Sequence, residues 1–245
     1  RCRDTQPLRF MVEQLYEKDP RVYKISNFIH PFEAKHIIEI SQKYMERSTV
    51  GDGRNRRQDP TRTCTNTWLS MNHTRIVETL YHRIGDVLGI AKWKMNVKST
   101  VMDNNGNVEG VASHMEVIHF GTSEHYSRHY DNAVNDEIYL HFITFQVILQ
   151  TSEDFSGGQT GFPHAGSVER GNQNGFQVEN EQYSAIFWYN LLPDGNLDET
   201  SMYSNLRVNS GEQWMFHVSI WDPTLPVHGD PKMPHDIMYA MHDEL

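Results

Sequence analysis

The chain is poor in cysteine, has no long apolar run and carries fewer basic than acidic side chains. Its 245 residues include two cysteines, Cys2 and Cys64, and two cysteines do not make a disulfide framework. In an oxidising compartment they can pair with each other. Cys2, beside the first residue, can equally pair with a segment upstream. No stretch approaches the ~20 apolar residues that a membrane-crossing helix needs, so no membrane span is expected. Lys and Arg number 22 against 32 Asp and Glu, a net charge of −10. Such a chain is ill suited to a phosphate backbone, which calls for clustered cations, so no nucleic-acid partner is expected. The short basic stretch Arg54-Asn55-Arg56-Arg57 lies among Gly, Asp and Pro and reads as a solvated loop. There is no internal repeat and no low-complexity tract, which excludes solenoid architectures. Position 1 is Arg, with no Met and no signal peptide, so the chain reads as a fragment or a mature chain lacking an upstream part.

What remains is ordinary globular composition, 38% hydrophobic and 22% charged, enough for a sizeable core. Residues 1–245 are read as one domain. Pro31 to Met45 has helical spacing, with Ala34, Ile37, Ile38, Ser41, Tyr44 and Met45 on one face. Thr74 to Leu88 repeats that pattern with Ile76, Leu80, Ile84, Val87 and Leu88 inward. Between them Thr49 to Arg62 is polar and Gly-containing, a long loop of the kind that forms a lid or a substrate wall. Asp103 to Asn107 is a turn cluster. From residue 115 the pattern turns to strands: Met115 to Phe120, Tyr139 to Leu149, Ser184 to Asn190 and Gln213 to Trp221, with turns at Ser156-Gly157-Gly158 and Pro193-Asp194-Gly195. Helices first and strands second predict an α+β fold, helices packed outside a β core. The expected divisions are an extension over 1–19, a helical support part over 20–114, a β core over 115–222 and an irregular, proline-containing tail over 223–245. The tail ends His242-Asp243-Glu244-Leu245, an endoplasmic-reticulum retention signal that predicts residence in that lumen. The sequon Asn72-His73-Thr74 agrees with a secretory route.

His129-Tyr130-Asp131 is the first candidate for chemistry. On a strand, residues two apart share a face. An imidazole and a carboxylate so placed offer two adjacent positions to a metal, as in the facial triad of non-haem iron oxygenases. The same pattern is met by chance as a surface histidine near a carboxylate.

The runs Glu116-Val117-Ile118-His119-Phe120-Gly121, Glu124-His125-Tyr126 and His129-Tyr130-Asp131 resemble the metal-binding strand of the collagen-type prolyl 4-hydroxylase α-subunit family. Phe155-Ser156-Gly157-Gly158-Gln159-Thr160-Gly161-Phe162-Pro163 resembles that family's Gly-Gly-x-Thr-x-Phe-Pro turn, and Ala185 to Leu191 its following strand. Pro20-Arg21-Val22 with Asn27-Phe28-Ile29, and Arg62-Thr63 with Trp68-Leu69-Ser70, are similar to it as well, so the likeness runs along nearly the whole chain. The resemblance implies a double-stranded β-helix, a jelly-roll or cupin-like core. It also implies a dioxygenase that uses Fe(II), 2-oxoglutarate and ascorbate to hydroxylate proline in collagen-like peptides. The metal would fall to His129 and Asp131, and the 2-oxoglutarate pocket to Tyr126 and Thr160. Tyr130, Trp188 and Tyr189 would contact the substrate. Tyr126, Tyr130, Trp188, Tyr189 and Trp214 can line an aromatic groove for proline-rich chains, although core packing accounts for most of them as well.

Two positions depart from the family. Its distal iron histidine falls on Tyr203, and its 2-oxoglutarate lysine on Gln213. A phenol is a poor Fe(II) ligand unless ionised, and its ordinary pKa is about 10. An amide gives a carboxylate a hydrogen bond without a charge. His217, four residues beyond Gln213, shares its strand face and can stand in as a ligand or simply pack; Arg207 can supply a cation or lie at the surface. His114, His119 and His125 read as satisfied or exposed. The expectation is a pseudoenzyme-like relative that binds collagen-like or proline-rich chains. The alternative is an active dioxygenase with an altered site. Protein disulfide isomerase or a catalytic subunit of the same family is a further candidate partner.

Overall fold

The computed structural model describes residues 10–16, 18–51, 56–96, 110–131, 141–165 and 175–221. The turn cluster at 103–107, the tail from 222 onward and Cys2 lie outside them. The strands are β1 (Met11–Tyr16), β2 (Val22–Ser26), β3 (Glu46–Arg47), β4 (Thr65–Leu69), β5 (Met115–Phe120), β6 (Tyr126–His129), β7 (His141–Thr151), β8 (Ser156–Gly157), β9 (Thr160–Phe162), β10 (Phe176–Val178), β11 (Ala185–Tyr189), β12 (Tyr203–Asn205), β13 (Val208–Ser210) and β14 (Gln213–Trp221). The two α-helices are α1 (Pro31–Ser41) and α2 (Arg75–Leu88). The fold is therefore mostly antiparallel sheet with few helices.

Eight strands form one sheet in the order β1-β2-β11-β7-β14-β5-β4-β3, and four form a second in the order β10-β9-β12-β6. Side-chain alternation explains how the large sheet is covered on both faces. From β7, Ile143, Phe145, Val147 and Leu149 join Leu80, Tyr81 and Ile84 of α2 and Ile37 of α1 in one core. From β14, Trp214, Phe216, Val218 and Ile220 enter the same layer. The residues in between face the other way. Ile186 and Trp188 meet Phe162 and Tyr203 of the small sheet, while Ile118, Ile148 and Met215 pack with Cys64 and Val208. The inner face also carries polar side chains, Thr144, Gln146, Gln213 and His217, all buried. These positions build the site.

The helices form where periodicity predicts them, with sharper ends. Pro31 opens α1, and Glu33 accepts from the His30 amide. The helix stops at Ser41 and a tight 3-10 turn follows over Gln42–Tyr44, so Tyr44 is exposed rather than inward. Thr74 caps α2 by accepting from the Val77 amide at 3.3 Å, and Gly89 closes it in the left-handed conformation. Arg83 of α2 grips Glu33 of α1 with two hydrogen bonds of 2.8 and 2.7 Å.

The order of elements differs from the expectation. β1 and β2 precede the first helix and β3 and β4 lie between the helices, so the 20–114 part supplies three strands of the large sheet. β2 is five residues long and β4 reads Thr-Asn-Thr-Trp-Leu. Neither is apolar enough to declare itself; each is held by its neighbours, β2 by β11 and β4 by β5.

Candidate functional site

β6 and β12 are antiparallel neighbours, and their register sets His129 directly opposite Tyr203. β6 ends at His129, so Asp131 lies in the bend beyond it rather than on the strand. The two side chains nevertheless converge: His129 Nε2 is 3.6 Å from Asp131 Oδ1.

The tautomer of His129 follows from its partner. Nδ1 lies 2.8 Å from the Ser127 carbonyl oxygen, which can only accept, so Nδ1 carries the proton and Nε2 a bare lone pair. Nε2 is buried and has no hydrogen-bond partner. Burial lowers the His129 pKa to about 4, against a partial opposing pull from Asp131, so the ring is neutral at pH 7. Tyr126 stacks on it at 3.6 Å between ring centroids.

Asp131 is the hub. Burial pushes its carboxyl up, but His129, His141 and the Thr144 hydroxyl outweigh that, and the pKa lies below the usual value. Thr144 Oγ1 donates to Oδ2 and accepts from Asn190 Nδ2 at 2.9 Å. Tyr203 Oη donates to Oδ1 at 2.9 Å. Burial first, and the Asp131 charge second, hold the Tyr203 pKa well above that of a free phenol. Tyr203 is therefore a protonated donor.

A second cluster is made of neutral groups. Thr160 Oγ1 donates to Asn180 Oδ1 at 3.1 Å and accepts from Gln146 Nε2 at 2.9 Å. Asn180 Nδ2 donates to the Gly158 carbonyl at 2.6 Å and to Gln213 Oε1 at 3.3 Å. His217 Nε2 donates to Gln146 Oε1 at 2.9 Å. Gln213 Nε2 is buried and unpartnered. Gly158 makes the close approach possible: at φ +68 a Cβ would meet the Phe155 ring at 2.8 Å and Gln213 Oε1 at 3.3 Å.

Beside both clusters lies a cavity of about 290 Å³. Asp131, Tyr203 and His217 line it from within, Arg62, Glu116 and Tyr126 from one side, and Trp68 and Trp221 are also in its wall. Arg62 Nη2 pairs with Glu116 Oε1 at 2.6 Å, and its guanidinium covers the Tyr126 ring at 4.6 Å.

The sequence reading is thus partly gathered into one place. His129, Asp131, Tyr203 and Tyr126 meet; Thr160 and Gln213 meet in the amide cluster, and His217 joins both the cluster and the cavity wall. Three expected substrate contacts lie elsewhere. Trp188 is fully buried against Phe162 and Tyr203. Tyr189 packs under Arg21 and against Tyr23 and Phe142. Tyr130 donates to the Glu199 carbonyl at 3.0 Å. Arg207 is exposed. His119 stacks on Trp214, His125 meets Thr63, and His114 is exposed. Arg62, Glu116, His141, Trp68 and Trp221 are among the cavity residues to which sequence reasoning gave no site role. For Trp221 the available signal was the step of two from His217 through Ser219.

No family model matches the chain. It is 24% identical over 217 residues to human prolyl 4-hydroxylase subunit alpha-3, which takes in 86% of this chain and 35% of that protein. It is 26% identical over 223 residues to prolyl 4-hydroxylase 5 of Arabidopsis thaliana, 82% of this chain and 69% of that one. The chain is similar in sequence to prolyl 4-hydroxylases. The structure of the viral collagen prolyl hydroxylase of Paramecium Bursaria Chlorella virus-1, solved as a 2OG complex, superposes with a TM-score of 0.59 at 18% identity, covering 82% of this chain and 95% of that one. A Trichoplax adhaerens prolyl hydroxylase, solved with a hypoxia inducible factor peptide fragment, gives 0.55 at 13% identity, covering 82% and 83%. These two likenesses concern the fold.

The residues of this site fit an iron and dicarboxylate pair only in part. A gap of 3.6 Å between His129 Nε2 and Asp131 Oδ1 is spanned by two metal–ligand bonds of about 2.0–2.2 Å. Yet no three His, Cys, Asp or Glu side chains converge among the described residues, and the group opposite His129 is a protonated phenol. The Thr160–Asn180–Gln213 cluster offers a dicarboxylate one spare neutral donor and no cation. As a set, these side chains do not fit the pair.

Proposed function

We propose that this chain is a polypeptide-binding prolyl 4-hydroxylase relative that does not run the dioxygenase reaction. In this reading the two sheets form the family's double-stranded β-helix, and the protein resides in the endoplasmic reticulum lumen, as the terminal His242-Asp243-Glu244-Leu245 suggests. Its ligand is a collagen-like or proline-rich chain, bound in the groove at the cavity. The observation that carries the reading is the Tyr203 hydroxyl, spent on Asp131 Oδ1 where a third iron ligand is needed. Gln213 adds to it: a hydrogen bond to a charged group contributes roughly 1.5–3 kcal/mol, so an uncharged donor there weakens an acid cosubstrate by tenfold to a hundredfold.

Anaerobic titration with Fe(II) and 2-oxoglutarate tests this through the metal-to-ligand absorption band of their complex. No band is expected at millimolar concentrations, while proline-rich peptides bind equally with and without a chelator. A saturating band, or peptide binding that requires iron, would overturn it.

One observation favours the second reading, an active enzyme with an altered site. His129 Nε2 is a bare, buried lone pair beside a carboxylate, which is how a metal ligand is poised. In that case His129 and Asp131 would hold Fe(II), and iron-dependent succinate formation is measurable. Assembly with protein disulfide isomerase or a related subunit belongs to either reading and is checked by co-purification.

A further inference from the structure

The sequon Asn72-His73-Thr74 takes no part in the site, and the fold gives its two ends different roles. Of all the asparagines in the chain, Asn72 alone heads an Asn-x-Ser/Thr triplet. The triplet lies where β4 gives way to α2. Met71 is buried and anchors a 3-10 turn over Met71–His73, while Asn72 and His73 face solvent. Thr74 has a structural role. Its backbone is extended (φ −147, ψ 162), its hydroxyl accepts from the Val77 amide at 3.3 Å to cap α2, and the same oxygen is hydrogen-bonded to His36 Nε2 of α1 at 3.0 Å. Asn72 has no such role. An asparagine at this place would ordinarily serve as the helix cap, but Thr74 already does so. The Asn72 side chain is exposed and makes no hydrogen bond to any described residue.

From this we infer that Asn72 carries an N-linked glycan. The inference rests on the secretory part of the reading under Proposed function. The co-reactant is an oligosaccharide carried on a polyprenyl diphosphate, and the catalyst is a membrane-bound transferase. Asn72 Nδ2 bonds to the anomeric carbon of the first sugar, and the bond from that carbon to the diphosphate oxygen breaks. One amide proton passes to a base, polyprenyl diphosphate leaves, and nothing is oxidised or reduced. A sugar chain is bulky and belongs at the surface, and the turn holds Asn72 outward. The fold also sets the order of events. The triplet requires Ser or Thr at its third position, so the transferase reads a hydroxyl. In the folded molecule that hydroxyl is tied between α1 and α2. Transfer therefore precedes the docking of α2.

The test uses the full chain, led into the secretory pathway of mammalian cells by a cleavable signal peptide. One shift in gel mobility is expected, reversed by peptide N-glycosidase, which leaves aspartate at position 72 in the mass spectrum. Asn72→Gln should remove the shift and melt at the same temperature as the enzymatically deglycosylated parent. Thr74→Ser, which keeps the hydroxyl, should keep the shift. A translocated chain, shielded from added protease by the membrane, that shows no shift would overturn the inference, as would a shift that survives in the Asn72 variant. Endoglycosidase H separates the two proposals. A glycan at Asn72 that becomes resistant to it sinks residence in the endoplasmic reticulum and leaves the glycan standing. A retained but unmodified chain sinks the glycan and leaves residence standing. For the order of events, the folded, unmodified chain should be refused by the solubilised transferase while a synthetic peptide spanning 68–78 is accepted. Equal use of both would overturn that order.

Discussion

Tyr203 and His129 oppose each other across one β-ladder, and their roles are set by where their protons are. The phenol donates a hydrogen bond to Asp131, whereas the imidazole has its proton on the side away from it. Tyr203→Phe should cost about 1.5–3 kcal/mol, the range for a hydrogen bond to a charged group, read from urea unfolding. Tyr203→His should add a second imidazole, and so a third ligand, to His129 and Asp131, and Co(II) absorption in the visible should report tetrahedral or five-coordinate binding that the parent chain lacks. His129 also predicts a pH dependence. Its folded pKa is depressed to about 4 while the unfolded value is near 6.5. Between these limits the unfolded chain binds more protons, so stability rises with pH. The contribution is complete above about pH 6.5 and is lost as pH falls toward 4. Asp131, also depressed, works in the same direction. The urea midpoint should fall steadily from pH 7 to pH 4.5, and His129→Gln should flatten that slope.

At the scale of elements, β7 and β14 explain what could be read in the sequence and what could not. Gln213 to Trp221 and Met115 to Phe120 match their observed strands end for end, and Ser184 to Asn190 overshoots β11 by one residue at each end. Alternation was harder to see because helices cover one face and a second sheet the other. Burial in β7 is almost continuous. The telling feature is that Thr144 and Gln146 interrupt an apolar run at every second residue, as Glu116, Gln213 and His217 do on the adjoining strands. Polar groups on a buried face at a spacing of two mark a site before any family is considered. Trp188 carries the opposite lesson: an aromatic strand residue beside a site is core more readily than groove. Between the helices, the Arg83–Glu33 pair is largely buried. Removing one partner strands the other, so Arg83→Ala should cost about 3–5 kcal/mol in chemical denaturation, with little effect on ligand affinity at the distant cavity.

For the whole molecule, the net charge of −10 makes the proposed capture of a proline-rich chain depend on salt wherever that chain is basic. Association rates should fall by roughly tenfold between 0.02 and 0.5 M salt while dissociation rates change little, because steering acts on encounter more than on the bound state. Stopped-flow fluorescence separates the two.

β14 has a position in the large sheet that its place in the chain does not suggest. It lies between β7 and β5, hydrogen-bonded to both, although it is the last strand among the described residues to leave the ribosome. Until it arrives, the sheet is two half-sheets, each with an open edge, and the apolar layer under the helices lacks Trp214, Phe216, Val218 and Ile220. Nascent chains stalled before residue 213 should therefore remain protease-sensitive and bound to chaperones, and release of the final strand should close the molecule in a single late step.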